Sequence, residues 1–179
     1  MFNSTEVIPD DLFYYDDTCI IELNPFLAGY KINGESFFDF VMQSAKAVNV
    51  NPKLLFATIQ REQGLLSNFN PSLRQLSKAA GFGVEDGGVD ISGDWGFQRQ
   101  IIGCLKTYRT GFDLWKHGDI ITVDDDTKII TPSNASTYSL YRYCPHVGNS
   151  DSPRFSSSGA YGVYLLWEIW RGLWKNDLA

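Results

Sequence analysis

A chain of 179 residues, 44% hydrophobic and 15% aromatic, has single-domain size and can fill a core without disulfide or metal staples. Its net charge of −6, with 15 Lys and Arg scattered along it, argues against nucleic acid, which needs clustered basic side chains. No apolar run reaches the roughly 18 residues of a membrane span, and three cysteines and two histidines without ligand spacing argue against zinc, so neither metal nor cofactor is expected.

The start, MFNSTEVIPDDLFYYDD, lacks the basic head and apolar core of a secretory signal. That leaves a cytoplasmic protein as made, export by another route, or a piece of a larger secreted protein. Residues 1–33, with Pro9, Pro25, Gly29 and paired aspartates, read as an irregular lead-in or linker, and residues 34–179 as the functional domain. From Gly34 to about Asn49, Phe37, Phe38, Val41, Ala45 and Val48 recur at helical steps. Asn51-Pro52 supplies an N-cap and a first-turn proline for a second helix that ends near Gly64 or Ser67. Asn70-Pro71 repeats that start for a third, to about Ala80. The stretch GFGVEDGGVDISGDWG, Gly81 to Gly96, is a long glycine-rich loop, and loops of that length in compact domains are usually functional or mobile.

A long helix should run from Phe97 to about His117, with Ile101, Cys104, Leu105 and Tyr108 on one face. Cys104 there is read as core, a Cys104–Cys144 disulfide being the alternative. GDIITVDDDTKIITP reads as a short hairpin or extended excursion, its three aspartates off any calcium-loop spacing and taken as a solvated turn. Ser133 or Asn134 caps a helix through Tyr143, Pro145 ends it, and a polar loop leads to a last helix from Ala160 to about Lys175, whose tyrosines and tryptophans read as core. The expected fold class is mainly α, in a single domain.

The second helix carries an anomaly. Leu55, Ile59, Glu62 and Leu66 share one face, with Lys53, Gln60, Arg61 and Gln63 left for the other. Glu62 is thus a carboxylate on an apolar stripe, where desolvation penalises its charge. Either Glu62 lies at the edge of the stripe or pairs with an arginine such as Arg99, Arg109 or Arg142, or it is a general acid kept in an apolar pocket, as glycosidases use to protonate a sugar leaving oxygen.

VNPKLLFATIQREQGLL resembles the catalytic helix of the lysozyme-like peptidoglycan-cleaving enzymes, the lytic transglycosylase and endo-β-N-acetylglucosaminidase group. AAGFGVEDGG followed by GDWGFQRQI, then NASTYSLYRYCPH, then YLLWEIWRGLW resemble that group's glycine-rich segment, tyrosine-bearing helix and aromatic last helix, in the same order and over about residues 24–175. The resemblance implies a lysozyme-like fold with Glu62 as the indispensable acid. It also departs from the group's pattern. Gln63 stands where many transglycosylases have serine, and their glutamine three residues after the glycine has no counterpart, since Gln98 and Gln100 lie two and four residues after Gly96.

The roles implied are specific. Glu62 protonates the glycosidic oxygen and, on the transglycosylase route, returns as base while the substrate's acetamido carbonyl or 6-hydroxyl closes a 1,6-anhydro sugar. A hydrolase needs a second carboxylate, roughly 5–9.5 Å away depending on stereochemistry. Asp94 is the first choice among Glu85, Asp86, Asp90 and Asp94. Gln100, then Gln98, is assigned to an acetamido group, against the alternative of an ordinary helix surface residue. Tyr143 or Tyr141, about 200° apart on a helix, offers a hydroxyl to the cleft, against a packing role. Trp95 is assigned to stack on a sugar ring.

The expected function is cleavage of β-1,4 bonds in bacterial peptidoglycan by a monomeric extracellular, cell-wall or periplasmic muramidase or transglycosylase. The rivals are a hydrolase of chitin-like N-acetylglucosamine polymers, a non-catalytic wall-glycan-binding module, and a phage-borne docking domain.

Overall fold

The computed structural model describes residues 8–83, 96–123, 128–145 and 162–174, and it is mainly helical. The chain divides into two compact units, Tyr15–Lys106 in one and Met1–Tyr14 with Thr107–Ala179 in the other.

In the Tyr15–Lys106 unit, helix α1 (Pro25–Gly29) leads into strands β1 (Lys31–Ile32) and β2 (Glu35–Ser36), which pair antiparallel with Ile32 opposite Glu35. The two-residue turn between them is Asn33-Gly34, both at positive φ (53° and 89°), the geometry that matches strand twist in a tight hairpin. Residues expected to be irregular therefore carry a helix and a strand. Helix α2 (Phe37–Val48) follows at once. Ser36 caps its N-terminus by accepting from the Asp39 N–H at 3.1 Å, and Asn49 ends it in the left-handed region.

Helix α3 (Pro52–Gln63) starts where Asn51-Pro52 predicts, the Asn51 side chain accepting from the Lys53 N–H at 3.0 Å. Gly64 stops it at φ +64, with the Gly64 N–H bonded to Gln60 and the Leu65 N–H to Ile59, so the orphan carbonyls of the last turn are satisfied. The two-faced wheel does not survive. Lys53, Leu54, Leu55, Phe56, Ala57, Thr58, Ile59 and Arg61 are all buried, so α3 is enclosed on nearly every side. Phe37 meets the Phe56 ring edge-on at 6.0 Å and Phe38 stacks on it at 6.2 Å, joining α2 to α3. Buried Lys53 is paired with Asp16 at 3.2 Å, as a buried cation requires.

Helix α4 (Leu73–Ser77) begins two residues later than Asn70-Pro71 suggests. Ser72 and Gln75 form a reciprocal capping box, which outcompetes the proline as the start. Helix α5 (Phe97–Leu114) contributes residues 97–106 to this unit and 107–114 to the other. It stops short of His117, and Gly118, at φ +93, turns the chain beyond it.

In the other unit, a 3-10 turn at Asp10–Phe13 places the Phe13 ring against Phe112 (5.0 Å, stacked) and Tyr108 (5.9 Å, edge-on). Strands β3 (Ile121–Val123) and β4 (Lys128–Ile130) form the expected hairpin, Ile121 opposite Ile130. The three-aspartate turn lies outside the described residues. Helix α6 (Ala135–Tyr143) is capped by Asn134, which accepts from the Thr137 N–H and donates to the Ile8 carbonyl at 2.6 Å. Close approach of α5 and α6 depends on Gly111, where a Cβ would sit 3.0 Å from the Ser139 Cα, and the Ser139 hydroxyl donates to the Tyr108 carbonyl at 2.6 Å. Helix α7 (Gly162–Leu173) buries Val163, Leu166 and Trp170. Trp170 is edge-on to Trp174, just past the helix end, at 5.7 Å, and both serve the core, while Trp167 is half-buried and tilts against Trp170 at 6.4 Å. Cys19, Cys104 and Cys144 are buried thiols without disulfides.

Candidate active site

Glu62 stands one residue before the end of α3, so its backbone is fixed by the enclosed helix and by the Gly64 stop. Its side chain is 18% exposed. One oxygen, Oε1, accepts from Arg61 Nε at 2.9 Å and from Arg61 Nη2. Pairing with an arginine is therefore correct, but the partner is none of the three distant arginines. It is the adjacent residue, with a side chain only 1% exposed. Neighbours on a helix point about 100° apart, and the two meet because the long arginine side chain can span that angle. A buried guanidinium needs such a partner, since an unpaired buried charge is costly.

The second oxygen, Oε2, lies against the backbone of Gly81. A Cβ on Gly81 would come 2.7 Å from Oε2 and 2.9 Å from the carboxyl carbon, and Gly81 has φ +73. Glycine is required twice here, for the left-handed conformation and for the contact.

The segment carrying Gly81 is held by Gln100. Its Oε1 accepts from the Ala80 and Phe82 N–H groups at 3.2 and 3.0 Å, and its Nε2 donates to the Phe82 carbonyl at 2.7 Å. Gln100 is fully buried. Its amide faces backbone, in a clasp that presents Gly81 to Glu62. The Gly96 N–H donates to the Ser77 carbonyl at 3.0 Å.

Gln98 sits on the exposed side of α5 and accepts from Asn33 Nδ2 at 3.1 Å. Asp94 and Trp95 lie outside the described residues, as do Glu85, Asp86 and Asp90. Tyr141 and Tyr143 are in the other unit. Tyr141 is 2% exposed in the core, while the half-buried Tyr143 ring packs on Tyr108 at 4.6 Å. Within one unit, then, Glu62, Arg61, Gly81 and Gln100 form a connected arrangement. Arg61 and Gly81 carry it together with the two residues singled out by sequence. A glycine in AAGFG was a legible turn signal, whereas nothing in the local pattern marks Arg61 as buried. Among the described residues, no three His, Cys, Asp or Glu side chains group to hold a metal ion.

The fold and this arrangement define a mainly helical domain with one carboxyl fixed by an arginine and a glycine backbone. The family model described as LasA, N-terminal domain, matches residues 6–164, and the chain belongs to that family. LasA is a secreted, peptidoglycan-related staphylolytic protease family. The match is to this cell-wall-related family and not to the lysozyme-like superfamily that the four sequence blocks resemble. No curated protein and no solved structure matches the chain. No helix among the described residues is long and apolar enough to cross a membrane.

Proposed function

We propose that this chain acts at the bacterial cell wall, outside the cytoplasm, and cleaves β-1,4 glycosidic bonds of peptidoglycan with Glu62 as general acid and base. The observation that carries the reading is the placement of the Glu62 carboxyl at the helix end: partly exposed, with Oε2 against Gly81 and outside the Arg61 contacts, which all fall on Oε1. The Arg61 pairing itself favours the charged form and so the second reading below. Oε2 is then the proton-transferring atom. It donates to the glycosidic oxygen as the bond breaks. On the transglycosylase route it recovers the proton from the sugar's own 6-hydroxyl as the anhydro ring closes, and no second carboxylate is needed. On the hydrolytic route Asp94 activates water. Gln100 acts by holding residues 80–82, while acetamido recognition falls to Gln98 or Trp95.

The test is mass spectrometry of soluble products from purified sacculi. Wild type releases fragments and Glu62→Gln releases roughly a hundredth to a ten-thousandth as much, the range for loss of a general acid. Products one water lighter than hydrolytic muropeptides identify the transglycosylase route, and ordinary reducing ends the hydrolytic one. Equal release by wild type and Glu62→Gln sinks the assignment.

A second reading is a non-catalytic wall-glycan-binding module. It is favoured by the family description, an N-terminal domain of a staphylolytic protease family, because such a domain can serve a chemistry located elsewhere. It requires saturable binding to sacculi without any soluble fragments. A chitin-like N-acetylglucosamine polymer is tested as substrate in the same assay.

A further inference from the structure

The Tyr15–Lys106 unit has a depression of about 430 Å³ lined by Phe82, Gln98, Arg99, Ile102, Gly103 and Lys106. Its floor is made by a missing side chain. A Cβ on Gly103 would fall 2.3 Å from the Phe82 ring, so the ring lies directly across α5 at that position. Phe82 and Ile102 are half-buried and give the floor an apolar surface. Arg99 and Lys106 stand exposed at either end. Seven residues are two helical turns, so both project from one side of α5 about 10.5 Å apart along its axis.

Two features point to a ligand. Among the described residues the ion pairs are Lys53–Asp16, Arg61–Glu62, Arg109–Asp113 and Arg171–Glu168, and neither Arg99 nor Lys106 takes part in one. In a chain of net charge −6, two cations without carboxylate partners among the described residues bracket an apolar floor, a local concentration of positive charge. Gln98 adds a polar edge. Its Oε1 is engaged by Asn33, which leaves Nε2 as a donor to a ligand carbonyl.

We propose that this depression binds an acidic peptide laid along α5, its carboxylates on Arg99 and Lys106 and the methyl and methylene groups between them on Phe82 and Ile102. An extended chain advances about 3.3–3.6 Å per residue, so carboxylates some three residues apart match the separation of the two cations. The proposal deepens the reading above and rests on it for the source of the peptide: the acidic stems that the wall glycan carries. A stem seated here lies next to the backbone that abuts Glu62, because Phe82 follows Gly81 directly.

The test is fluorescence anisotropy with a labelled stem pentapeptide, L-Ala-γ-D-Glu-L-Lys-D-Ala-D-Ala, and with the same peptide carrying carboxamides in place of its carboxylates. Wild type binds the acid form about tenfold tighter than the amide. Arg99→Gln and Lys106→Gln each weaken acid binding about threefold, and together about tenfold, as expected of two exposed ion pairs. Both side chains are exposed, so the melting temperature of the double variant stays within about 1–2 °C of wild type. Equal affinity for acid and amide forms, an unchanged double variant, or no saturation overturns the proposal. Digestion of sacculi by the same proteins separates the two claims. Peptide binding without glycan cleavage removes the glycosidase and keeps this site. Cleavage without peptide binding does the reverse.

Discussion

Replacing Gly81 by alanine separates two effects that usually come together. The backbone there is at φ +73, which a non-glycine residue adopts at roughly 1–2 kcal/mol. The new methyl would also meet Glu62 Oε2 at 2.7 Å and the carboxyl carbon at 2.9 Å. The end of a glutamate side chain can yield by rotating, so the clash adds little to the stability loss but displaces the carboxyl by the better part of an ångström. For a domain of this size, 1–2 kcal/mol lowers Tm by roughly 2–8 °C. A displacement of about 1 Å at a reacting group lowers turnover on the order of a hundredfold. Gly34 is the control. It has φ +89 and nothing within 4 Å of its would-be Cβ, so Gly34→Ala pays only the backbone strain. The expected result is a similar Tm loss in both variants by differential scanning fluorimetry. Fragment release from sacculi should collapse in Gly81→Ala and persist in Gly34→Ala. If both variants retained wild-type release, the contact between Gly81 and the carboxyl would have no bearing on chemistry.

Three further outcomes follow from individual contacts. Gln100→Leu removes three hydrogen bonds from residues 80–82 and leaves buried backbone groups unmet, which costs about 3 kcal/mol at about 1 kcal/mol each, read from urea unfolding. A loss below about 1 kcal/mol would mean that water or other groups replace the clasp. Asn24→Ala removes both the α1 cap (Oδ1 to the Leu27 N–H, 2.9 Å) and the amide that donates to the carbonyls of Leu65, Leu66 and Asn68 just beyond Glu62. Losing the cap alone is worth about 1 kcal/mol, so the total should exceed that figure in the same urea measurement. For Asp16, burial raises the carboxyl's pKa, but hydrogen bonds from the Thr18 hydroxyl and N–H and the charge of Lys53 outweigh it, leaving the carboxyl below its ordinary 3.8. The stabilisation is thus complete above the unfolded value and is lost as pH falls through the folded one. Asp16→Asn should be less stable than wild type at pH 7, with the gap closing only below about pH 4, and a gap independent of pH down to 2 would contradict this.

Much of the architecture was written locally. Apolar residues at helical steps and caps such as Asn51 and Asn134 located α2, α3, α5, α6 and α7, because a helix end needs a partner for its orphan N–H groups and few side chains supply one. The β3–β4 hairpin showed in its β-branched residues. Two elements in the lead-in were legible by the same chemistry, Asn24-Pro25 as a helix start and Asn33-Gly34 as a hairpin turn, yet an acidic, proline-bearing context disguised them. The start of α4 shifted because a capping box competes with proline, and sequence alone ranks the two poorly.

The sequence by itself determined the helical elements, most of their caps, and that a carboxylate would stand near the end of the helix beginning at Asn51-Pro52. Only the tertiary structure decided what surrounds that carboxylate. A wheel assumes one face toward protein and one toward water, and α3 is enclosed on nearly all sides, which turned Arg61 from a surface residue into the buried partner of Glu62. Gln100 likewise faces the backbone of residues 80–82, about twenty positions away, because its donors and acceptors are brought to it by packing. Short-range periodicity encodes which residues form an element; the partner of a buried polar group is set by whichever unmet group the rest of the fold delivers beside it.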